Sequence, residues 1–193
     1  NGGIGSDLAW DEANNQFIVA PGVFPGTISG GTLFTSSDGL DWTSISTNQC
    51  SAACLGAEHL AVSNGNYVLT TFGVANRQVV ISSDLINWTS VDTGVNSILA
   101  DVVAFGAAGG FIALSDSGEV VTSSDNGATW SVTANLDTDA DLAVNGSLIF
   151  SLGQGRTNGF KIDQSSDGTT WETKLMPVSI GASQTLHSGS VFA

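Results

Sequence analysis

Ser123-Ser124-Asp125-Asn126-Gly127-Ala128-Thr129-Trp130 is the stretch on which the reading of this chain turns, because three others repeat its pattern. They are Ser36-Ser37-Asp38-Gly39-Leu40-Asp41-Trp42, Ser82-Ser83-Asp84-Leu85-Ile86-Asn87-Trp88 and Ser165-Ser166-Asp167-Gly168-Thr169-Thr170-Trp171. Each closes a run of strand formers. Trp42, Trp88, Trp130 and Trp171 recur at steps of 46, 42 and 41 residues. A period of roughly 40–50 residues is the mark of a propeller or solenoid, built from one supersecondary unit repeated.

Working outward, each unit reads as four short strands. In the third, Leu99–Phe105, Phe111–Leu114, Glu119–Ser123 and Thr129–Thr133 are apolar or β-branched runs. Gly, Asn, Asp and Ser separate them, as tight turns require. The other units align on this one, and helical periodicity is absent. The expected fold is all-β, a β-propeller of four-stranded antiparallel blades. Complete blades fall at about 5–48, 56–93, 98–134 and 139–176, with two strands of a fifth at 183–193. That partial unit leaves three readings open: a slice of a longer protein, a ring completed by another chain, or an irregular closure. Asn1 reads as a mature terminus or the edge of a cut chain.

Composition narrows the function classes. Of 193 residues 41% are hydrophobic, enough for a core, and only 11% are charged. Eighteen acids against four bases give a net charge of −14, which repels phosphate backbones and anionic bilayers. Nucleic-acid binding is therefore not expected. No stretch approaches eighteen uninterrupted apolar residues, so membrane insertion is not expected either. Surface polarity must come from Ser, Thr, Asn and Gln, as suits a secreted or cell-surface protein. In that setting Cys50 and Cys54 read first as a disulfide clamping a loop, with two spare thiols as the alternative.

The third hairpin, Ser123-x-Asp125-x-Gly127-x-Thr129-Trp130, resembles the Asp-box, or BNR repeat. The other three copies resemble its one-residue-shorter form, and Asp84-Leu85 lacks the turn glycine. The resemblance covers essentially the whole chain. It implies a propeller like those of sialidases, sortilin-type receptors and photosystem-assembly-factor-like proteins, which share a fold rather than an activity. It also implies a structural role for Asp38, Asp84, Asp125 and Asp167. Each is expected to accept backbone N–H bonds in its own turn while Trp42, Trp88, Trp130 and Trp171 pack between neighbouring blades.

Catalysis finds little support. A sialidase would require three arginines on a carboxylate, a Tyr–Glu nucleophile pair and an Asp acid. Only Arg77 and Arg156 exist, and the single tyrosine, Tyr67, sits in a core strand. The two arginines fall in loops expected on the face opposite the hairpins, as candidate contacts for an anionic sugar or carboxylate or as plain solvated charges. Asp137, Asp139 and Asp141 have the alternate spacing of a calcium loop but lack its Gly and distal Glu. No other cofactor is implied. His59 and His187 read as packing or channel-lining residues, and the sequons at Asn87 and Asn145 as turn residues.

The leading expectation is a non-catalytic extracellular binding or adhesion module for a glycan or protein. A self-associating subunit of a surface layer, filament or phage particle is the alternative. A fragment of a sialidase-like glycoside hydrolase is the third reading.

Overall fold

The computed structural model describes residues 6–21, 32–47, 57–71, 77–106, 109–137, 141–154 and 160–175. They form four antiparallel four-stranded sheets, each a simple meander in chain order. The first holds β1 (Ser6–Asp11), β2 (Gln16–Pro21), β3 (Thr32–Ser36) and β4 (Thr43–Ser46). The second holds β5 (Ala57–Ser63), β6 (Asn66–Thr71), β7 (Gln78–Ser82) and β8 (Thr89–Asp92). The third holds β9 (Leu99–Ala104), β10 (Phe111–Ser115), β11 (Glu119–Ser123) and β12 (Ser131–Asn135). The fourth holds β13 (Asp141–Asn145), β14 (Leu148–Gln154), β15 (Phe160–Ser165) and β16 (Glu172–Leu175). The all-β expectation holds. The expected fifth unit lies outside the described residues, as do Cys50, Cys54, Asp139, Arg156 and His187.

The registers are equivalent from sheet to sheet. Leu8 faces Val19, Leu60 faces Leu69, Val102 faces Ala113 and Leu142 faces Ser151. Side chains can therefore be compared position by position. Three apolar clusters result, one between each pair of consecutive sheets. Ile18, Ala20 and Leu33 meet Leu60, Tyr67 and Trp88. Val68 and Val79 meet Val102, Phe111 and Val121, and Ile112, Leu114 and Val120 meet Leu142 and Ile149. In the third sheet, covered on both faces, β10 is buried at every position, which is why Phe111–Leu114 run apolar without alternation. The outermost strands β4 and β8 stay largely exposed.

The four hairpins share one hydrogen-bond pattern, carried by the first serine of each Ser-Ser-Asp and by the aspartate. Ser36 Oγ accepts from Gly39 N at 2.8 Å and donates to Asp38 Oδ1 at 3.1 Å, while Leu40 N and Asp41 N donate to that oxygen at 2.9 and 3.0 Å. Asp84 and Asp167 are held in the same way, while Asp125, in the longer hairpin, accepts Thr129 N on Oδ1 and the Thr129 hydroxyl on Oδ2. Those donors pull the carboxyls below their ordinary range: Asp38 chiefly through Asp41 N, Asp125 through the Thr129 hydroxyl, Asp167 through Thr170 N. Asn87 N does the same for Asp84, bringing it to about 2. Each of the four hairpin indoles donates its Nε1–H to the carbonyl three residues back, at 3.3 Å for Trp42, 3.0 Å for Trp88, 2.8 Å for Trp130 and 3.3 Å for Trp171.

The hairpin lacking glycine keeps the shape of the others. Leu85 adopts φ 64°, a left-handed conformation costly for a branched side chain, and is buried to 3% exposure beside Trp88. Burial of the isobutyl group offsets the strain. The glycine at the equivalent place in the fourth hairpin, Gly168, approaches the third sheet so closely that an added Cβ would lie 3.1 Å from Thr122 Cγ2 and 3.2 Å from Ile112 Cδ1.

Candidate functional site

The first strand of every sheet faces one common space. Strands β1, β5, β9 and β13 pack in succession and wall a cavity of about 300 Å³. Its lining runs from Asp7 to Trp10, Leu60 to Val62, Asp101 to Ala104 and Leu142 to Val144. Sheets stacked in a line would not bring the first and fourth onto one cavity. The arrangement is radial.

One level of this wall is polar. Asp7, His59, Asp101 and Asp141 occupy equivalent positions, each directly before Leu8, Leu60, Val102 or Leu142, and Asp7 and Asp101 line the cavity itself. Two of the aspartates bridge sheets. Asp7 Oδ2 accepts Leu60 N at 2.8 Å and Oδ1 accepts its own neighbour Leu8 N at 2.8 Å. Asp101 Oδ2 accepts Leu142 N and Oδ1 accepts Val102 N, both at 2.7 Å. Where the second sheet carries His59 instead, its Nδ1 stands 3.3 Å from Asp101 Oδ1. A bulge in β5 between Ala57 and Leu60, with His59 N donating to Thr70 Oγ1 at 3.1 Å, sets that side chain.

Burial pushes the Asp101 carboxyl up, against the pull of His59 and of the two backbone donors. Glu58, half-buried beside His59, is also raised by burial, less so because His59 is near. The collar is thus acidic, with Asp101 its buried member, while Leu8, Trp10, Val62 and Val144 give the same cavity an apolar wall. Trp10 packs against Phe17 in a tilted pair, ring centroids 4.7 Å apart and planes at 60°. The strands enter the cavity at the end carrying the sheet-to-sheet connections, so the collar lies opposite the Ser-Ser-Asp hairpins.

A second buried carboxylate, Asp11, closes the β1–β2 turn with no exposed surface. Burial opposes its charge, yet Tyr67 Oη donates to it at 2.6 Å, and Asn14 and Gln16 also donate. The net effect lowers its carboxyl and raises the Tyr67 phenol, the latter first through burial.

Four sheets of equivalent register around one cavity have counterparts among solved structures. YCF48 bound to D1 peptide matches with TM-score 0.63 and 14% identity, over 90% of this chain and 53% of that one. Apo AztD from Citrobacter koseri matches with TM-score 0.62 and 10% identity, over 90% and 47%. The GH74 xyloglucanase of Xanthomonas campestris gives 0.61 and 14%, over 92% and 31%. All three are β-propeller proteins. The sheets are propeller blades. The chain spans about half the length of the first two. No protein-family model matches the chain, and no curated protein matches its sequence.

On this propeller the residues singled out from sequence scatter. Arg77 lies before β7, away from the axis, with Nε 3.6 Å from Asp92 Oδ2 and both side chains more than half exposed. Its carbonyl also accepts from Thr93 N and Oγ1. Asp137 is paired with Lys161, and Asp141 joins the collar, so these two calcium candidates are employed separately. Among the described residues no group of three acids, histidines or cysteines is placed to hold a metal. Tyr67 is 2% exposed with its hydroxyl committed to Asp11, a packing position as expected. The collar itself went unread in sequence. Its signal was the recurrence of Asp7-Leu8-Ala9 as Asp141-Leu142-Ala143, with His59-Leu60-Ala61 between them.

Proposed function

We propose that this propeller is an exported Asp-box binding module whose axial cavity receives a segment of a protein partner, one carrying a Lys or Arg beside apolar residues. The observation carrying this reading is the cavity's double character. Asp7 and Asp101 place negative charge at one level, and Trp10 with Leu8, Val62 and Val144 offers apolar contact below it. A net charge of −14 steers a basic segment toward the face and discourages acidic ones. A structurally similar protein, YCF48, has been solved with a peptide bound, which supports a peptide rather than a small substrate. Export rests on sparse charge and a surface rich in small polar side chains.

Fluorescence anisotropy with a panel of labelled peptides, basic-apolar against acidic, tests this reading. Basic-apolar members should bind, weaken with salt, and lose affinity in Trp10→Ala, whose side chain is 44% exposed. Equal binding by acidic members, or affinity indifferent to Trp10→Ala, would refute it.

A further inference from the structure

We infer that the groove between the third and fourth blades, at the end carrying the Ser-Ser-Asp hairpins, is a binding site for a neutral sugar. The groove is a second cavity, of about 310 Å³, whose walls include Phe105, Ile112, Ser124, Ser131 and Asp167. It shares no lining residue with the axial cavity and lies at the opposite end from the collar, so the two sites stand or fall separately.

Comparing the three interblade faces position by position explains why this one is open. Phe105 stands where the first two blades carry Asp11 and Ser63, each three residues past Val102, Leu8 or Leu60. Asp11 accepts the Tyr67 hydroxyl of the second blade at 2.6 Å, and Ser63 Oγ accepts Gly109 N of the third at 2.8 Å. The Phe105 side chain can accept nothing, and the fourth blade carries Ile149 where the second and third carry Tyr67 and Phe111. The turns differ too. Gly65 sits against the first blade, an added Cβ lying 3.7 Å from Asn14 Nδ2 and 3.8 Å from Ala13 Cβ, whereas a Cβ added to Gly146 would meet nothing within 4 Å. The Asn145-Gly146-Ser147 turn is exposed and does not reach back to cover the groove.

The lining chemistry selects the ligand. The floor is apolar, with Phe111 and Ile112 buried and Phe105 half-buried. The rim carries hydroxyls, and those of Ser124 and Ser131 are exposed and make no hydrogen bond among the described residues. Each can donate one bond and accept two. Asp167 adds a carboxylate already shared by Thr169 N and Thr170 N of its own turn, so a full cation gains little there. A hexose matches this surface, with a face of C–H groups for Phe105 and hydroxyls for Ser124 and Ser131. The volume is close to the lower bound of about 300 Å³ for ligand pockets, which suits one ring rather than a long chain.

Two-dimensional amide NMR of the 193-residue chain, titrated with methyl glucoside, methyl galactoside, methyl mannoside and N-acetylglucosamine, tests this. At least one sugar should shift the amides of Gly106, Ser124, Ser131 and Thr169 saturably, while those of Leu8, Leu60, Val102 and Leu142 around the axial cavity stay in place. Replacing both Ser124→Ala and Ser131→Ala should weaken that sugar about tenfold, two hydrogen bonds being lost. Ser131→Phe, which fills the groove with a residue that strands favour, should abolish binding. Both variants should keep the remainder of the wild-type spectrum, since the changed side chains are exposed. Lysine amide, titrated in parallel, should leave the groove amides unmoved. Groove amides indifferent to all four sugars at tens of millimolar, shifts confined to the axial cavity, binding unchanged in both variants, or lysine amide binding more tightly than every sugar would each overturn the inference.

Discussion

Replacing Trp88 and Trp42 by alanine, separately, measures how much an interblade face contributes to stability. Both indoles sit at the same hairpin position and donate the same Nε1–H bond to a carbonyl three residues back, so that loss largely cancels between them. Their environments differ: 6% exposed against 41%. On a side chain of about 250 Å² that gap is on the order of 90 Å² of apolar surface, or ~2 kcal/mol at ~25 cal/mol per Å². Truncating Trp88 also leaves a hole among Leu33, Leu69 and Leu85, which the packed blades cannot fully collapse. Trp88→Ala should therefore cost about 3–5 kcal/mol and Trp42→Ala about 1–2. At ~2–4 °C per kcal/mol, the melting temperatures of the two variants should differ by several degrees. Urea unfolding at high dilution, with unchanged m, gives the comparison directly. Equal losses would mean that Trp88 gains nothing from the first blade, and the interblade reasoning would fail.

Two further predictions concern charge and strain. Asp101 binds its proton more tightly when folded, its carboxyl being pushed by burial from 3.8 up to about 6, so its contribution is greatest below pH 3.8 and is lost as pH rises through about 6. The hairpin aspartates act oppositely: their contribution is present above 3.8 and lost as pH falls, toward about 2 for Asp84. Asp101→Asn should reduce the slope between pH 3.8 and 6 in denaturation midpoints, leaving the share of Glu58, and cost about 1–3 kcal/mol, since one bridged backbone N–H loses its acceptor. At Leu85, with φ 64°, the usual order should invert: Leu85→Ala should be less stable than Leu85→Gly by about 1 kcal/mol, because alanine loses the burial without relieving the backbone. Thermal melts of the pair check this, and a more stable alanine variant would contradict it.

The blades were legible because their signal is local. A turn that must satisfy its own backbone needs Ser, Asp and Trp at fixed offsets, and four copies of Ser36-x-Asp38 show it. Even Leu85 follows, since the hydrogen bonds of Asp84 outweigh the missing glycine. The collar was not legible because its partners lie on different blades. Asp101 meets Leu142 N from 41 residues away, and Tyr67 meets Asp11 from 56. Linear spacing offers His59 no carboxylate partner, yet ring geometry brings Asp101 to it. Arg77, read from sequence as a loop cation, has Asp92 beside it, a neighbour that linear spacing does not show.

Spin labels at Ala9 and Ala143, with Cys50 and Cys54 changed to serine and excess unlabelled chain present so that only intramolecular pairs report, probe the radial packing of the blades. Both residues wall the one axial cavity of about 300 Å³, so pulsed dipolar spectroscopy should give a distribution centred well below the ~30 Å that four sheets stacked at ~10 Å spacing would impose. A distribution at ~30 Å or beyond would mean that the sheets do not circle a common axis.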